Sequence, residues 1–428
     1  MRVTLLFFAL CTVLAAQSPP EPITIEQAVQ EALTNNANLI AERMNVPLAA
    51  ARMVTARLRP NPVLTLDGDY LDILGTGFSP ANNAGPAEGS GRVDFVFEGP
   101  GKRAGRIAVA EHDRSAAELN VQNAIRGVIF DVQSAFVDVL LAKEALALAE
   151  QNLKDLDQLV EEGRKRVQAG ELSAADLLRT RLAAMQFRND AANAASRLHS
   201  TRHRLQLLMG RLTFVHGFDV KGTLRRDPDR LEIQPLRKQA QEIRPDILAL
   251  VRSQARSTAD LKLQLAQSKI DYTVGTQFHR QQSPTGTGSS LGVFLSMPLP
   301  VFNRNQGEIE RARLEYRQLE ARLSALRASV AAEVESSYEQ YAIASTMLGN
   351  LETDMLEQSR EVRRTAEESY RAKKISLLEF LDARRAYTDT MQSYNDARAS
   401  HARSLYSMEA VTGKSVAGGS RNLLPPAR

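Results

Sequence analysis

The segment GVFLSMPLPVFNRNQGEIERA at residues 292–312 has a counterpart about 200 residues earlier, FEGPGKRAGRIAVA at residues 97–110. Three positions match at one constant offset: Gly105 with Gly307, Ile107 with Ile309 and Ala110 with Ala312. Five more match further on: Ala169 with Ala372, Ser173 with Ser376, Leu178 with Leu381, Arg181 with Arg384 and Ala183 with Ala386. A unit of this length exceeds the repeats of a solenoid, so we expect a duplicated half-protein.

The first half, residues 17–210, is expected to place a hairpin after its first helix. The pattern predicts a helix over residues 25–58 and a β-hairpin over residues 62–98. Residues 75–91 are rich in Gly, Asn, Pro and Ser, which is typical of a loop. Along the strand at residues 93–97, the apolar Val93, Phe95 and Phe97 alternate with the acidic Asp94 and Glu98, which is the period-two pattern of a strand with one face in water.

The second half, residues 235–412, repeats this order. A helix is predicted over residues 235–266 and a hairpin over residues 271–299, with a Gly/Ser/Thr-rich loop at residues 281–290. The alternating apolar residues of its second strand run over residues 293–299. Strands of about eight to ten residues are close to the length that crosses an outer membrane on a tilt.

A very long helical stretch follows each hairpin. Residues 103–168 and 307–373 contain no proline, and at about 1.5 Å per residue each stretch would extend for roughly 100 Å. Tight breaks then lead into shorter helices at residues 173–209 and 376–411. Two shorter helices end to end match one long helix in length. The sequence therefore predicts a long helical cylinder that the tight turns close at one end.

The composition indicates an exported protein without thiol chemistry. Residues 1–16 have the charged start, apolar run and small-residue end of a secretory signal peptide. Cys11, the one cysteine, lies within that segment, so we expect no disulfide and no thiolate metal site in the mature chain. The 54 basic and 50 acidic residues nearly balance, which argues against a nucleic-acid partner.

The sequence contains no pattern that we would assign to an enzyme. Residues 99–105 are too basic and too broken by proline for a dinucleotide-binding turn. His199 and His203 have the i, i+4 spacing of metal ligands, but arginines surround them and no third ligand is near in sequence. We expect a solvated helix face there, with no metal site, no cofactor and no catalytic residues.

The quoted segments resemble the strand-to-helix transition of the outer-membrane efflux proteins, the TolC-like ducts, and the resemblance covers essentially the whole mature chain. The motif MPLPVFNRNQGEI within residues 292–312 resembles sequences of the heavy-metal cation branch, of the cobalt, zinc, cadmium and copper resistance type, more than those of the multidrug branch. The residues that the resemblance assigns to the transition are Pro100, Gly101, Pro298, Pro300 and Gly307.

The resemblance implies a mixed α and β membrane protein that works as a homotrimer. Four strands per chain would build a twelve-stranded outer-membrane β-barrel, continuous with a twelve-helix α-barrel across the periplasm. The linker at residues 211–234 and the tail at residues 413–428 would form an equatorial domain. Independently of the resemblance, two hairpins cannot close a barrel in one chain, so exposed strand edges call for oligomerisation.

The implied function is that of an exit duct in the outer membrane of a Gram-negative bacterium. Such a duct conducts substrates passively from the periplasm to the exterior, and here the branch suggests heavy-metal cations. Its partners would be a periplasmic membrane-fusion adaptor, a proton-driven inner-membrane pump and outer-membrane lipid. Alternatives are a multidrug or other small-molecule duct of the same family, or a soluble periplasmic coiled-coil scaffold, which would leave the two hairpins unexplained.

The resemblance also assigns roles to residues near the tight turns. Glu379 and Asp382 lie three apart on one helix face and would form an acidic gate with Asp176. Ser376 and Ser173 each precede one of these acids by three residues, so Glu379 and Asp176 are alternatively helix caps. The turn residues resemble tips that dock an adaptor: Ala169, Gly170, Leu172, Ser173, Ala372, Ile375 and Ser376. The acidic strand residues expected in the barrel lumen are Asp67, Asp69, Asp94 and Glu98.

Overall fold

The computed structural model describes residues 21–71, 73–74, 87–227, 231–283 and 286–413. The expected signal peptide lies outside these residues, as do residues 75–86 of the first expected loop and residues 414–428 of the expected tail. Most of the described residues are helical, and four strands form one sheet. Among the described helices, none has the length and apolar composition that a bilayer span requires.

The elements follow one another in the order expected for two similar halves. The helices are α1 (Ile25–Asn35), α2 (Ala37–Arg43), α3 (Asn45–Arg57), α4 (Lys102–Gln168), α5 (Ala174–Leu208), α6 (Ile233–Ile243), α7 (Pro245–Gln267), α8 (Gln306–Asn350), α9 (Leu356–Arg371) and α10 (Leu377–Thr412). The strands are β1 (Val63–Asp69), β2 (Glu88–Phe97), β3 (Tyr272–Ser283) and β4 (Gly286–Ser296). A π-helical turn, Leu351–Met355, joins α8 to α9.

The helix predicted over residues 25–58 is divided into three, and one break has a clear cause. The Asn36 amide donates a hydrogen bond to the Leu208 carbonyl at 2.8 Å, and its oxygen accepts one from the Leu39 N–H at 3.1 Å. An asparagine that bonds neighbouring backbone groups competes with helix continuation. Asn36 therefore ends α1, caps α2 and ties both to the end of α5.

The helix predicted over residues 235–266 is divided into α6 and α7. Arg244 has an extended backbone (φ −61°, ψ 128°) and precedes Pro245, the first residue of α7. Proline disfavours the helical conformation in the residue before it and is well tolerated in a first helical turn. The proline that follows Arg244 therefore accounts for the break between α6 and α7.

The four strands form an antiparallel sheet in the order β1-β2-β3-β4. The second hairpin is longer than the sequence predicted. Residues 281–283 and 286–290, predicted as loop, continue the ladder, while β4 ends at Ser296 before Pro298. Gly, Ser and Thr have weak or context-dependent strand preference, and the ladder to the partner strand overrides it here.

The described residues fall into two compact units. Residues within 21–40, 125–236 and 333–413 form the first unit. Its largest apolar cluster packs α1, α4 and α5 against the linker, around residues such as Phe136, Leu205 and Val220. Val220 also forms a parallel bridge with Ile23, so the linker is fixed to the segment that precedes α1.

The second unit contains the sheet and the helix segments within residues 41–124 and 237–332. Helices α4 and α7 approach closely at Gly105, where an added Cβ would lie 3.0 Å from the Leu263 Cβ. Asp271, just before β3, accepts hydrogen bonds from the Gly99 N–H at 2.6 Å and pairs with Lys102 at 2.8 Å. These contacts fix the path from β2 into α4.

The ends of α4 and α9 have the same hydrogen-bond pattern. Glu171 N–H donates to the Arg166 carbonyl and Lys374 N–H to the Ser369 carbonyl, each at 2.8 Å, around a residue with positive φ. That residue is Gly170 (φ 72°) at the first turn but Lys373 (φ 59°) at the second. Glycine is the residue favoured at positive φ, so only the first turn has the favoured residue at this position.

We expect Lys373→Gly to stabilise the protein by about 1 kcal/mol, because glycine adopts this φ without a steric cost. Gly170→Ala should destabilise by a similar amount. The adjacent Lys374, whose φ is not positive, is the matched control, and Lys374→Gly should lower stability. The midpoint of thermal unfolding, followed by circular dichroism at one protein concentration, measures each effect. Equal shifts for the two lysine variants would contradict the explanation.

Candidate functional site

One face of the sheet is apolar and exposed. Cross-strand register and alternation along each strand place its members on the same side. Leu66 is 73% exposed, Leu291 77% and Val293 74%. The exposed large apolar residues of this face are Leu64, Leu66, Phe95, Phe97, Tyr272, Val274, Phe278, Leu291, Val293 and Leu295. An apolar surface of this extent indicates contact with lipid or another protein.

The opposite face of the sheet is polar and hydrogen-bonded. Ser90 hydroxyl donates to the Asp67 carboxylate at 3.1 Å, and Gln277 amide donates to the Ser90 hydroxyl at 2.8 Å. The Arg92 guanidinium pairs with Asp94 at 2.9 Å. This face is suited to water, and its carboxylates give it a mainly acidic character.

The structure places three of the four predicted acidic strand residues on the polar face. Asp67, Asp69 and Asp94 alternate with the apolar residues of their strands. Glu98 lies beyond the end of β2, and its carboxylate pairs with Arg106 of α4. Glu98 therefore belongs to the strand-to-helix connection, because the ladder ends one residue before it.

Four of the five predicted transition residues, Pro100, Gly101, Pro298 and Pro300, lie between the strands and the long helices. Gly101 has φ 92° and its carbonyl accepts the Gly105 N–H at 2.8 Å, so it opens the first turn of α4. Pro298 and Pro300 follow β4, where a missing N–H would interrupt a ladder. Gly307 is the second residue of α8, and nothing lies within 4 Å of a Cβ built on it. The sequence pattern did not identify Asn305 as part of this transition. Asn305 has a positive φ of 63°, and its side-chain amide donates to the Gln264 carbonyl at 2.8 Å.

The structure brings the two predicted tips together. Lys373 Nζ lies 3.4 Å from Glu171 Oε2, which joins the turn after α4 to the turn after α9. A cavity of about 660 Å³ between the turns is lined by four of the predicted residues and eight others: Arg166, Glu171, Leu172, Asp176, Arg179, Tyr370, Lys373, Ile375, Ser376, Leu377, Leu378 and Leu381. The other predicted tip residues are Ala169, Gly170 and Ala372, which form the helix ends themselves, and Ser173, which is the N-cap of α5.

Glu379 caps α10. Its carboxylate accepts hydrogen bonds from the Ser376 N–H and hydroxyl, both at 2.8 Å, and its own N–H donates to Ser376 Oγ at 3.3 Å. The predicted capping box is therefore confirmed. The hydrogen bond from the Ser376 backbone, followed by that from its hydroxyl, lowers the pKa of the Glu379 carboxyl. The stability that this cap contributes is therefore fully present at pH values above the ordinary pKa of a glutamate side chain. It is lost as pH falls through the lowered pKa of Glu379.

Asp176 and Asp382 are in different surroundings from Glu379. Ser173 Oγ accepts from the Ala175 N–H, and the Asp176 carboxylate lies 3.4 Å from Arg179 instead of closing a capping box. Aspartate is shorter by one methylene than the Glu or Gln of that motif. The Asp382 side chain is 63% exposed, with Arg385 at 3.9 Å. Asp382 is therefore a solvated carboxylate in the second turn of α10.

Among the residues that the structure describes, no group of three or more His, Cys, Asp or Glu is arranged to hold a metal ion, at the paired histidines of α5 or elsewhere. The His203 ring contacts the Phe214 ring edge-on at a centroid distance of 4.5 Å. His199 is exposed. The i, i+4 spacing therefore reflects a surface helix face.

Comparison with known proteins gives two metal-resistance proteins as relatives. The cobalt-zinc-cadmium resistance protein CzcC of Cupriavidus metallidurans is 25% identical over 365 residues, which cover 85% of this chain and 84% of CzcC. The nickel-cobalt-cadmium resistance protein NccC of Alcaligenes xylosoxydans xylosoxydans is 26% identical over 350 residues, which cover 79% and 74% of the two chains.

Solved structures show the same fold. The outer membrane channel CmeC of Campylobacter jejuni superimposes with a TM-score of 0.77 at 13% identity, covering 96% of this chain and 93% of CmeC. CusC, described as forming a transmembrane channel, superimposes with a TM-score of 0.72 at 18% identity, covering 91% and 92%. The family model named outer membrane efflux protein matches residues 28–211 and 236–414. The resemblance seen in residues 97–110 and 292–312 is thereby confirmed, and the chain belongs to the outer membrane efflux protein family.

Proposed function

We propose that this protein is the exit duct of a tripartite efflux system, a trimeric outer-membrane channel that passively conducts heavy-metal cations from the periplasm to the exterior. The single observation that carries the proposal is the sheet with one exposed apolar face and one polar face. Family membership supports the channel function, and the two metal-resistance relatives support the substrate class.

The two-faced sheet fits a barrel wall. Apolar side chains such as Leu66 and Val293 would contact lipid, while Asp67 and Asp94 on the other face would line a water-filled lumen. The sheet is open, since β1 and β4 each have a neighbour on one side. Pairing β4 of one copy with β1 of the next would satisfy both edges, and three copies would close twelve strands.

The long helices and their tips fit the periplasmic part of such a duct. Helix α4 alone has 67 residues, which corresponds to roughly 100 Å of helix. The tips at Gly170 and Lys373, with the cavity between them, would receive the helical hairpin of a membrane-fusion adaptor. A passive duct needs an energy source elsewhere, so a proton-driven inner-membrane pump would complete the system.

Two observations favour cations over the alternatives. The carboxylates of the polar face, Asp67, Asp69 and Asp94, attract cations and repel anions. The relatives are named for resistance to cobalt, zinc, cadmium and nickel, whereas a multidrug duct of the same family would have the same fold without that relation. A soluble periplasmic scaffold is disfavoured, since it would leave the apolar face of the sheet in water.

Replacing Val293 with Arg tests the position of the apolar face. If this face contacts lipid, Val293→Arg should cost about 2–4 kcal/mol per chain and reduce the amount of trimer in the outer membrane. The matched control is Ser290→Arg on the polar face of the same strand, which should assemble normally. Cell fractionation and unheated gels measure the trimer. Normal assembly of Val293→Arg would be the result expected of a soluble scaffold and would refute the barrel.

Charge-removing variants at the tip test the gate. If Asp382 lines a three-fold constriction, Asp382→Asn removes three charges per trimer, and the cation-to-anion permeability ratio should fall by about twofold or more, with weaker block by divalent cations. Glu379→Gln should do the same, since Gln preserves a capping box while the charge is lost. Single-channel recording on the purified trimer measures both.

Glu357→Gln is the matched control for Asp382→Asn, since Glu357 also lies 3.9 Å from an arginine three residues on, Arg360. It should leave selectivity unchanged. A purely structural Glu379 would show the opposite pattern, with unchanged currents for Glu379→Gln and Asp382→Asn and a lower thermal midpoint for Glu379→Ala. That pattern would mean that the carboxylates form no gate.

A further inference from the structure

Residues 221–227, which we call the strap, contact α10 in the first unit. The Arg225 guanidinium pairs with the Glu409 carboxylate at 2.8 Å, and the Glu409 side chain is only 5% exposed. The same guanidinium pairs with Asp227 within the strap at 2.5 Å and lies 5.2 Å from the centroid of the Tyr406 ring. Arg225 therefore fixes the strap to the last turns of α10.

A second contact fixes the strap to the π-helical turn. Arg226 makes two bonds to the Glu352 carboxylate, at 2.8 and 2.5 Å, and Glu352 is the second residue of that turn. A π-helical turn inserts one residue into an α-helix and is frequently found at functional positions. The strap thus connects the α8–α9 helix to α10 through two neighbouring arginines.

His401 lies on α10 in the same environment. It is 3% exposed, and its ring centroid is 5.7 Å from that of Tyr341 on α8. Its Nδ1 has no hydrogen-bond partner among the residues that the structure describes. Its other polar contact is a hydrogen bond with the Arg225 backbone. A buried imidazole nitrogen without a partner is costly, and protonation would add a charge to the same site.

The charges around His401 come from the strap and the π-helical turn. Burial lowers the pKa of His401, and Arg226 lowers it further, whereas the bond to the Arg225 backbone and the carboxylates of Asp227 and Glu352 act in the opposite direction. Both carboxylates are already paired with strap arginines. A histidinium would therefore compete with Arg226 for Glu352, whose pair holds the strap to the π-helical turn, and with Arg225 for Asp227 within the strap.

We propose that the strap is an acid-released latch, in which protonation of His401 detaches residues 221–227 from α10 and the π-helical turn. With the strap in place, the proton is disfavoured; with the strap lifted, His401 meets water and takes up a proton near its ordinary pKa of about 6.5. The attached state is therefore favoured above that range and loses stability as pH falls below it, by up to about tenfold in the opening equilibrium per pH unit. The latch is independent of the exported substrate.

Hydrogen–deuterium exchange with mass spectrometry on the purified full-length protein tests the latch at pH 7.5 and 5.5, with labelling times corrected for the intrinsic effect of pH. At pH 5.5 most exposed carboxylates remain ionised. In the unmodified protein, peptides from the strap and from the end of α10 should exchange at least about fivefold faster at pH 5.5. His401→Gln keeps a donor for the Arg225 carbonyl without titrating, and His401→Phe keeps the ring packing, so both should lose this pH dependence.

His199→Gln, at an exposed histidine of α5, is the matched control and should behave as the unmodified protein. Two results would overturn the proposal. One is strap exchange in the unmodified protein that does not change between the two pH values. The other is an equal acid response in a folded His401→Gln or His401→Phe variant, which would assign the response to the carboxylates.

Discussion

The antiparallel pairing of β2 with β3 unites the two halves of the chain. Its ten residue pairs run from Glu88 opposite Gln281 to Phe97 opposite Tyr272, and they turn two separate hairpins into one sheet. The pairing also sets which side chains share a face. A shift by one residue would move Phe95 and Phe97 to the polar side of the sheet. Every property of the two faces therefore depends on this register.

Gly275 shows how closely the register is specified. It lies opposite Asp94, and a Cβ at this position would lie 2.1 Å from an Asp94 carboxylate oxygen. A side chain at position 275 would displace the Asp94 carboxylate from the place where it bonds with Arg92 on the polar face. The glycine that weakens the strand locally is thus the residue that permits a charged pair at the joint between the halves.

The sequence predicted the elements that depend on local pattern. The long uninterrupted α4 follows from a proline-free stretch, and the Glu379 cap follows from the spacing of Ser376 and Glu379. Contacts between residues that are far apart in sequence could not be predicted from local patterns. Arg225 and Glu409 are 184 positions apart, and Asn36 and Leu208 are 172 apart, so neither the strap nor the break after α1 has a local signal. The burial of His401 has no local signal either, since Arg398, Ser400, Arg403 and Ser404 surround it in sequence.

The cap at Glu379 also bears on its proposed role as a charge in a gate. If three copies of this carboxylate approach one axis, their mutual repulsion favours protonation and raises the pKa of each. The Ser376 hydrogen bonds lower the pKa of the same carboxyl and so oppose that repulsion. Asp382 has no such bond to its helix start; its side chain is 63% exposed, with Arg385 at 3.9 Å. Capping and gating are therefore compatible at Glu379, because the bonds that begin the helix favour the ionised form of the carboxyl.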